Sequence, residues 1–365
     1  METVGNIAKY LETFATNDLS EDYDNTGLLI GDPGQEVKNA LIAFEITHEV
    51  IQEALSFDCQ LIITHHPLIF KPLKKINRQI EDQRLVADLI RHGISHIALH
   101  TNADNIVHGV NKQLAKKLGL QDFKILKPGK DRLYSVVVFI PEEAFKRVEA
   151  AMFEAGAGHI GNYSHCGYSL SGTGSFLPLE NAKPAIGEIH RLERVNERRL
   201  EVIVPGRKLR QVIAAMLEAH PYEEVAHFVI PLQNIDPESG AGGIGQLPEP
   251  MDYEDFAHVV KQALGLEFIR SSKQHPAVVK KVAFCGGSGA FLIPDARKSG
   301  ADVFITGDVK YHDFFLADSS FGIIDAGHYE TEIMIINEFA EFLKKKFNTF
   351  AVQISNVKTN PIITL

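Results

Sequence analysis

The sequence predicts an α/β protein: a duplicated, bilobed α/β domain of two similar halves, interrupted by an inserted ferredoxin-like α+β domain. Three observations predict it. Apolar runs of strand length alternate with amphipathic helical segments at both ends of the chain. The order of those elements matches between the two ends, and so does the placing of polar residues after each strand. The middle has another texture, with two strand–helix units around a Gly- and Ser-rich stretch. The expected boundaries are 1–127 for the first lobe, 128–235 for the insert and 236–365 for the second lobe.

The first lobe opens on a helix at 3–15, where Val4, Ile7, Ala8, Leu11 and Phe14 recur at helical spacing. "DNTGLLIG" (24–31) is a turn feeding a short strand. "NALIAFEIT" (39–47), "HEVIQEALSF" (48–57) and "QLIITHH" (60–66) form a strand–helix–strand unit, so the two strands are expected to be parallel. An amphipathic helix over 79–93 closes at Gly93. A third strand, "SHIALHTNAD" (95–104), again ends in polar residues, and a helix over 109–120 follows.

The second lobe repeats this grammar. "KKVAFCGGSG" (280–289) is a strand and glycine-rich turn, "AFLIPDARKSG" (290–300) a helix and "ADVFITGD" (301–308) a strand. "VKYHDFFLAD" (309–318) is a short helix, "FGIIDAGHYE" (321–330) a strand, 331–347 a long helix and 349–356 a last strand. In the insert, 133–158 reads as strand, helix and glycine stop, and 198–232 as strand, helix, strand. Between them, 158–176 is expected to be a hairpin or mobile loop, and "QNIDPESGAGGIGQLPEP" (233–250) a return linker.

Composition narrows the function classes. Hydrophobic content of 45% with 23% charged residues is that of a globular protein. No segment reaches the roughly 18 consecutive apolar residues of a membrane helix. The acidic N-terminal stretch lacks the basic start and apolar run of a signal peptide. Three scattered cysteines without a CxxC fit reduced thiols in a cytoplasmic protein and argue against a thiolate zinc site. A net charge of −10 disfavours indiscriminate attraction to nucleic acid. Sixteen histidines make metal chemistry worth seeking.

In open parallel α/β sheets, ligands bind beyond the carboxyl ends of the strands. Metal-competent side chains crowd those ends here: His65 and His66 after one strand, His100 and Asp104 after the next, His328 after the strand in the second half. Glu332 follows His328 by four residues, the spacing that puts both on one helical face. Singly, each has a plainer reading. A strand-end histidine can be a hydrogen-bonded surface residue, Asp104 a cap, and Glu332 a carboxylate favoured by a helix N-terminus. Together they offer more ligands than one structural zinc needs. Two ions sharing Glu332 would use them, with His65 and His66 serving different ions because neighbours on a strand face opposite ways. Imidazole and carboxylate donors suit Zn, Fe or Mn. "CGGSG" (285–289) lacks the P-loop lysine and reads as a tight turn with a possible anion-binding role. Lys310, Tyr311 and His312 read as surface groups or cleft lining, Asp308 as a helix cap or cleft residue, and His159 and His165 as residues of a polar loop.

The motifs "DNTGLLIG", "ITHHPLIF", "HTNADN", "CGGSG", "ITGD" and "GHYETE", in that order, resemble the Ngg-interacting-factor-three-like family, also called GTP cyclohydrolase I type 2 homologues. The likeness covers both outer parts, about two-thirds of the chain. The insert, with "GTGSF" and "HPYEE" (220–224), resembles the PII/CutA-like domain of the longer bacterial members. Tyr23 stands where the family often has Trp. The resemblance implies two divalent metal ions per subunit: His66 and Asp104 on one, His65 and His328 on the other, and Glu332, the candidate catalytic bridge, shared. It also implies a homohexameric ring with the inserts over its openings. The family label implies a hydrolase that opens the imidazole ring of GTP, or of a related nucleotide or heterocycle, with metal-activated water. The alternative is a non-catalytic metal-binding assembly with regulatory or partner-binding function.

Overall fold

A computed structural model describes residues 2–363. The chain forms two compact units, one from Met1–Gly129 with Pro237–Leu365 and one from Lys130–Asp236. Among the described residues there are eleven α-helices and several sheets, a mixed α/β fold, and no helix is long and apolar enough to cross a membrane.

The larger unit contains two main sheets. The first runs Ala351–Ile354, Asn39–Ala43, Leu61–Thr64, Ser95–Ala98, Gly27–Ile30. Its first four strands are parallel, and the last is an antiparallel edge. The central strands Asn39–Ala43 and Leu61–Thr64 are mostly apolar because both faces are covered. Alternate residues go to opposite faces. Ala40, Ile42, Leu61, Ile63 and Ile97 pack with helices Val4–Phe14 and Ile335–Lys346. Leu41, Ala43 and Ile62 pack with helices His48–Ser56 and Glu81–His92.

The second sheet runs Arg270–Ser271, Gly322–Asp325, Val303–Gly307, Val278–Ser288, Gly240–Asp252, Gln121–Pro128. The three strands Gly322–Asp325, Val303–Gly307 and Val278–Ser288 are parallel, as the first sheet's central strands are.

Two expectations are corrected here, and one strand is added to them. The last strand, Ala351–Ile354, does not extend the second sheet. It pairs in parallel with Asn39–Ala43 in the first. The expected linker 233–250 contains most of a 13-residue strand, Gly240–Asp252, in the second sheet. Its glycines serve packing: a Cβ at Gly243 would lie 2.4 Å from the buried Phe284 ring. Gln121–Pro128 pairs with that strand and was not foreseen.

The smaller unit is one four-stranded antiparallel sheet, ordered His227–Ile235, Arg132–Pro141, Glu193–Pro205, Gly167–Phe176. Helices Phe145–Glu154 and Leu209–Ala219 cover one face, where Val136, Val138, Ile140, Leu200, Val202 and Val204 meet Val148, Met152, Val212 and Met216. Most of the stretch expected as a hairpin or mobile loop, residues 167–176, is the edge strand, paired from Gly167 to Phe176.

Candidate metal centre

The parallel strands of both sheets end at one cluster in the larger unit. Strand Leu61–Thr64 delivers His65 and His66. Strand Ser95–Ala98 leads to His100 and the short helix Thr101–Asp104, and strand Gly322–Asp325 to the helix His328–Glu332. His65 Nε2 lies 3.6 Å from Asp104 Oδ1 and 3.6 Å from Glu332 Oε2. Glu332 Oε2 lies 3.3 Å from His66 Nε2 and 3.1 Å from His328 Nε2. The Nε2 atoms of His66 and His328 are 3.4 Å apart. All five residues expected to form the site, His65, His66, Asp104, His328 and Glu332, therefore meet in one place.

Every imidazole is held by its other nitrogen. His65 Nδ1 lies 2.9 Å from the Leu99 carbonyl, His66 Nδ1 2.9 Å from Glu45, His100 Nδ1 2.8 Å from Asp24 and His328 Nδ1 2.7 Å from Asp308. An oxygen acceptor at Nδ1 selects the tautomer whose Nε2 lone pair faces the cluster, and such contacts orient metal-binding histidines.

The donor set fits a metal. His65 Nε2, Asp104 Oδ1 and Glu332 Oε2 are buried without a hydrogen-bond partner. Leaving such atoms unpaired costs about 1–3 kcal/mol each. Tetrahedral donors bound at about 2.1 Å stand roughly 3.4 Å apart, and the separations here run from 3.1 to 3.6 Å. Three groups have ligand atoms within 4.8 Å of one another: His65, Asp104 and Glu332; His66, His328 and Glu332; and His65, His66 and His100. The first two share Glu332. This grouping sets His65 with Asp104 and His66 with His328, whereas the family resemblance implies the crossed pairing.

Charge in the cluster is strongly coupled. Burial favours neutral Glu332, but the imidazoles of His328, His65 and His66 around it outweigh burial and hold the carboxyl well below its usual range. Burial, then the Glu332 charge, pushes Asp104 well up. Burial takes His65 down to about 4. Burial opposes charge on His66 and His328 too, yet Glu332 with Glu45 raises His66 to about 9, and Glu332 with Asp308 raises His328 to about 10. Both are thus protonated at pH 7 in the metal-free protein, and a metal ligand must be neutral. Loading at pH 7 is expected to release both protons, and affinity to rise with pH up to about 9–10. Calorimetric titration in buffers of different ionisation enthalpy checks this. Heats independent of the buffer would contradict it.

The "CGGSG" turn is a wall of this site. Gly286 N bonds to Asn111 Oδ1, Gly287 N to Thr331 Oγ1 and Gly289 N to Thr306 Oγ1, so these amides are committed within the protein and do not cradle an anion. What the turn supplies is space, since a Cβ on Gly287 would stand 2.1 Å from Glu332 Oε1. Burial pushes the neighbouring Cys285 thiol up, away from thiolate chemistry.

Asp308 lines the cleft through His328. Lys310, Tyr311 and His312 are exposed, and His159 and His165 are exposed in the smaller unit. Sequence reasoning noted His100 as metal-competent without giving it a ligand role, and it missed Glu45 and the role of Asp24. Asp24 does stand in the "DNTGLLIG" motif, and Glu45 is an acid just beyond a buried strand.

The Duf34/NIF3 (NGG1p interacting factor 3) family profile matches residues 2–361. The chain belongs to this family. Among curated relatives, a Bacillus subtilis (strain 168) protein named GTP cyclohydrolase 1 type 2 homolog is 38% identical over 366 residues, covering 98% of each chain. A Mycobacterium tuberculosis (strain H37Rv) protein of the same name is 36% identical over 350 residues, covering 94% of this chain and 92% of its own. Among solved structures, a Bacillus cereus protein related to NIF3 superposes with a TM-score of 0.87 at 38% identity, covering 100% of this chain and 99% of its own. Staphylococcus aureus protein SA1388 is also similar, with a TM-score of 0.73 at 28% identity and the same coverage.

Proposed function

We propose that this chain is a dinuclear-metal-dependent hydrolase. One divalent ion is assigned to His65, Asp104 and Glu332, the other to His66, His328 and Glu332, with Zn, Fe or Mn as the fitting metals. The observation that carries this reading is that two three-residue donor groups meet on one buried carboxylate. Ions so placed would supply an activated water nucleophile and stabilise the negative charge that develops as it adds to the substrate's ring carbon. The chain's part is to fix the donors: Leu99, Glu45 and Asp308 hold the three imidazoles, and Gly287 makes room for the shared carboxylate. His100, anchored by Asp24, faces the same space, and we assign it to hold substrate or a proton there.

The substrate we assign is GTP or a related nucleotide or heterocycle, opened hydrolytically at its imidazole ring with release of formate. The name carried by the relatives supports this class. The test is metal-loaded protein with GTP and a panel of nucleotides, assayed for formate. Formate release that is lost in Glu332→Ala supports the reading. Stoichiometric metal without consumption of any nucleotide overturns it and favours the regulatory alternative.

The proposal extends to architecture. Parallel strands at the centre of both large sheets, each set ending in site residues, support a duplicated α/β half. The smaller unit's sheet takes its strands in the order fourth, first, third, second, which supports a ferredoxin-like, PII/CutA-like insert. We assign a cytoplasmic homohexamer, and the exposed Tyr311, Phe315 and Leu316 supply apolar surface for self-association.

A further inference from the structure

The smaller unit carries a cavity of about 370 Å³ that the metal site does not use. Both motifs of this unit, "GTGSF" and "HPYEE", line it. Its floor is the sheet face opposite the two helices. Phe139 alternates with Val138 and Ile140, which enter the helical core, and so projects the other way. Leu177, Pro178 and Ile186, on the segment after the edge strand, form an apolar wall.

The polar groups in this apolar space are specific. Glu197, Glu223 and Glu224 line it, with no lysine or arginine among the lining residues. Glu223 already accepts a bond from Lys183 N at 2.6 Å. Glu197 lies across Gly174, where a Cβ would stand 2.1 Å from its Oε2, so the missing side chain is what admits the carboxylate. The Tyr222 hydroxyl is buried and faces the Glu197 carboxylate. Burial, then the Glu197 charge, pushes that phenol up to about 12, so it stays a neutral donor and acceptor. Its turn is fixed from below: the buried His220 takes a bond from Tyr222 N at 3.1 Å on Nδ1 and donates from Nε2 to the Phe139 carbonyl at 3.0 Å. Phe176 and Tyr222 rings sit at 60° with centroids 6.0 Å apart and complete the aromatic side of the cavity.

An apolar cavity of this size suits a small molecule. A carboxylate with a phenol hydroxyl beside it, and no lysine or arginine among the lining residues, select against anions. We propose that this cavity binds a small molecule bearing an apolar ring or short chain and a primary ammonium, the ammonium seated between Glu197 and Tyr222.

The test is calorimetric or ligand-observed NMR titration of the full chain with 2-phenylethylammonium, against 3-phenylpropionate as an anion of similar size. Saturable binding of the ammonium is expected, with the carboxylate at least about tenfold weaker. The near-isosteric Glu197→Gln should weaken the ammonium at least about tenfold, and Ala182→Trp, which fills the cavity, should abolish binding, with thermal melts checking that both variants fold. Equal affinity for the two probes, or affinity unmoved in Glu197→Gln, overturns the proposal. So does failure of the unaltered chain to bind either probe, and a changed assembly mass in Ala182→Trp would then make the cavity a contact between copies.

Discussion

Glu332→Ala is expected to strip the cluster of its metal. Glu332 is the one residue common to both carboxylate-bearing donor groups, so its loss weakens both ions at once. Losing an outer partner of a ligand alone costs about 10–100-fold in affinity, and losing a shared ligand should cost more than about 100-fold. Elemental analysis should fall from two ions per chain to fewer than one. The variant also leaves His66 and His328 without their common counter-charge. Their pKa values should drop from about 9 and about 10 toward the ordinary imidazole value, readable by NMR titration. In the metal-free wild type, those raised values mean stabilisation that is full below about pH 6.5 and lost as pH rises through 9–10. The variant should lack that alkaline loss. An unchanged metal content, or unmoved histidine titrations, would show that Glu332 does not hold the cluster together.

Gly287→Ala is the second large effect, and it acts without removing a donor atom. Gly287 has a φ of +60°, which costs an L-residue roughly 1–2 kcal/mol. Its new Cβ would stand 2.1 Å from Glu332 Oε1 and 3.1 Å from His328 Nε2. Neither neighbour can yield easily, because Glu332 is buried and His328 is tied to Asp308. The carboxylate must therefore leave its shared position. We expect a folded protein with a lower unfolding midpoint and metal affinity down by at least about 10–100-fold, as for other disturbed ligand supports. Ser288→Ala, an exposed neighbour in the same turn, should change neither. Wild-type metal affinity in Gly287→Ala would contradict the role assigned to the turn.

What could be read from the sequence follows from which forces act locally. Leu61–Thr64 and Asn39–Ala43 were legible because a strand covered on both faces must be apolar throughout. His328 and Glu332 were legible because four residues is one helical turn. The partner of Ala351–Ile354 was not, since a strand's own pattern does not name the sheet it joins. Gly240–Asp252 looked like a linker because its glycines match turn chemistry, while their use depends on Phe284, far along the chain. The stretch 158–176 read as a hairpin or mobile loop for the same reason, and of the two the strand alternative holds for 167–176, which pair along their whole length with Glu193–Pro205. Glu45 and Asp24 act only through histidines 21 and 76 positions away, so no local spacing marks them. "CGGSG" reads as a tight turn with a possible anion-binding role, and that role fails because its amides are claimed by Asn111, Thr331 and Thr306, which only the fold brings near.

The most direct measurement is a crystal structure of the metal-loaded protein with anomalous scattering recorded at the metal edge. Two anomalous peaks, about 3.5–4 Å apart, one touching His65 and Asp104, the other His66 and His328, and both touching Glu332, are the predicted result. A single peak, or ions bound away from Glu332, would contradict the dinuclear centre.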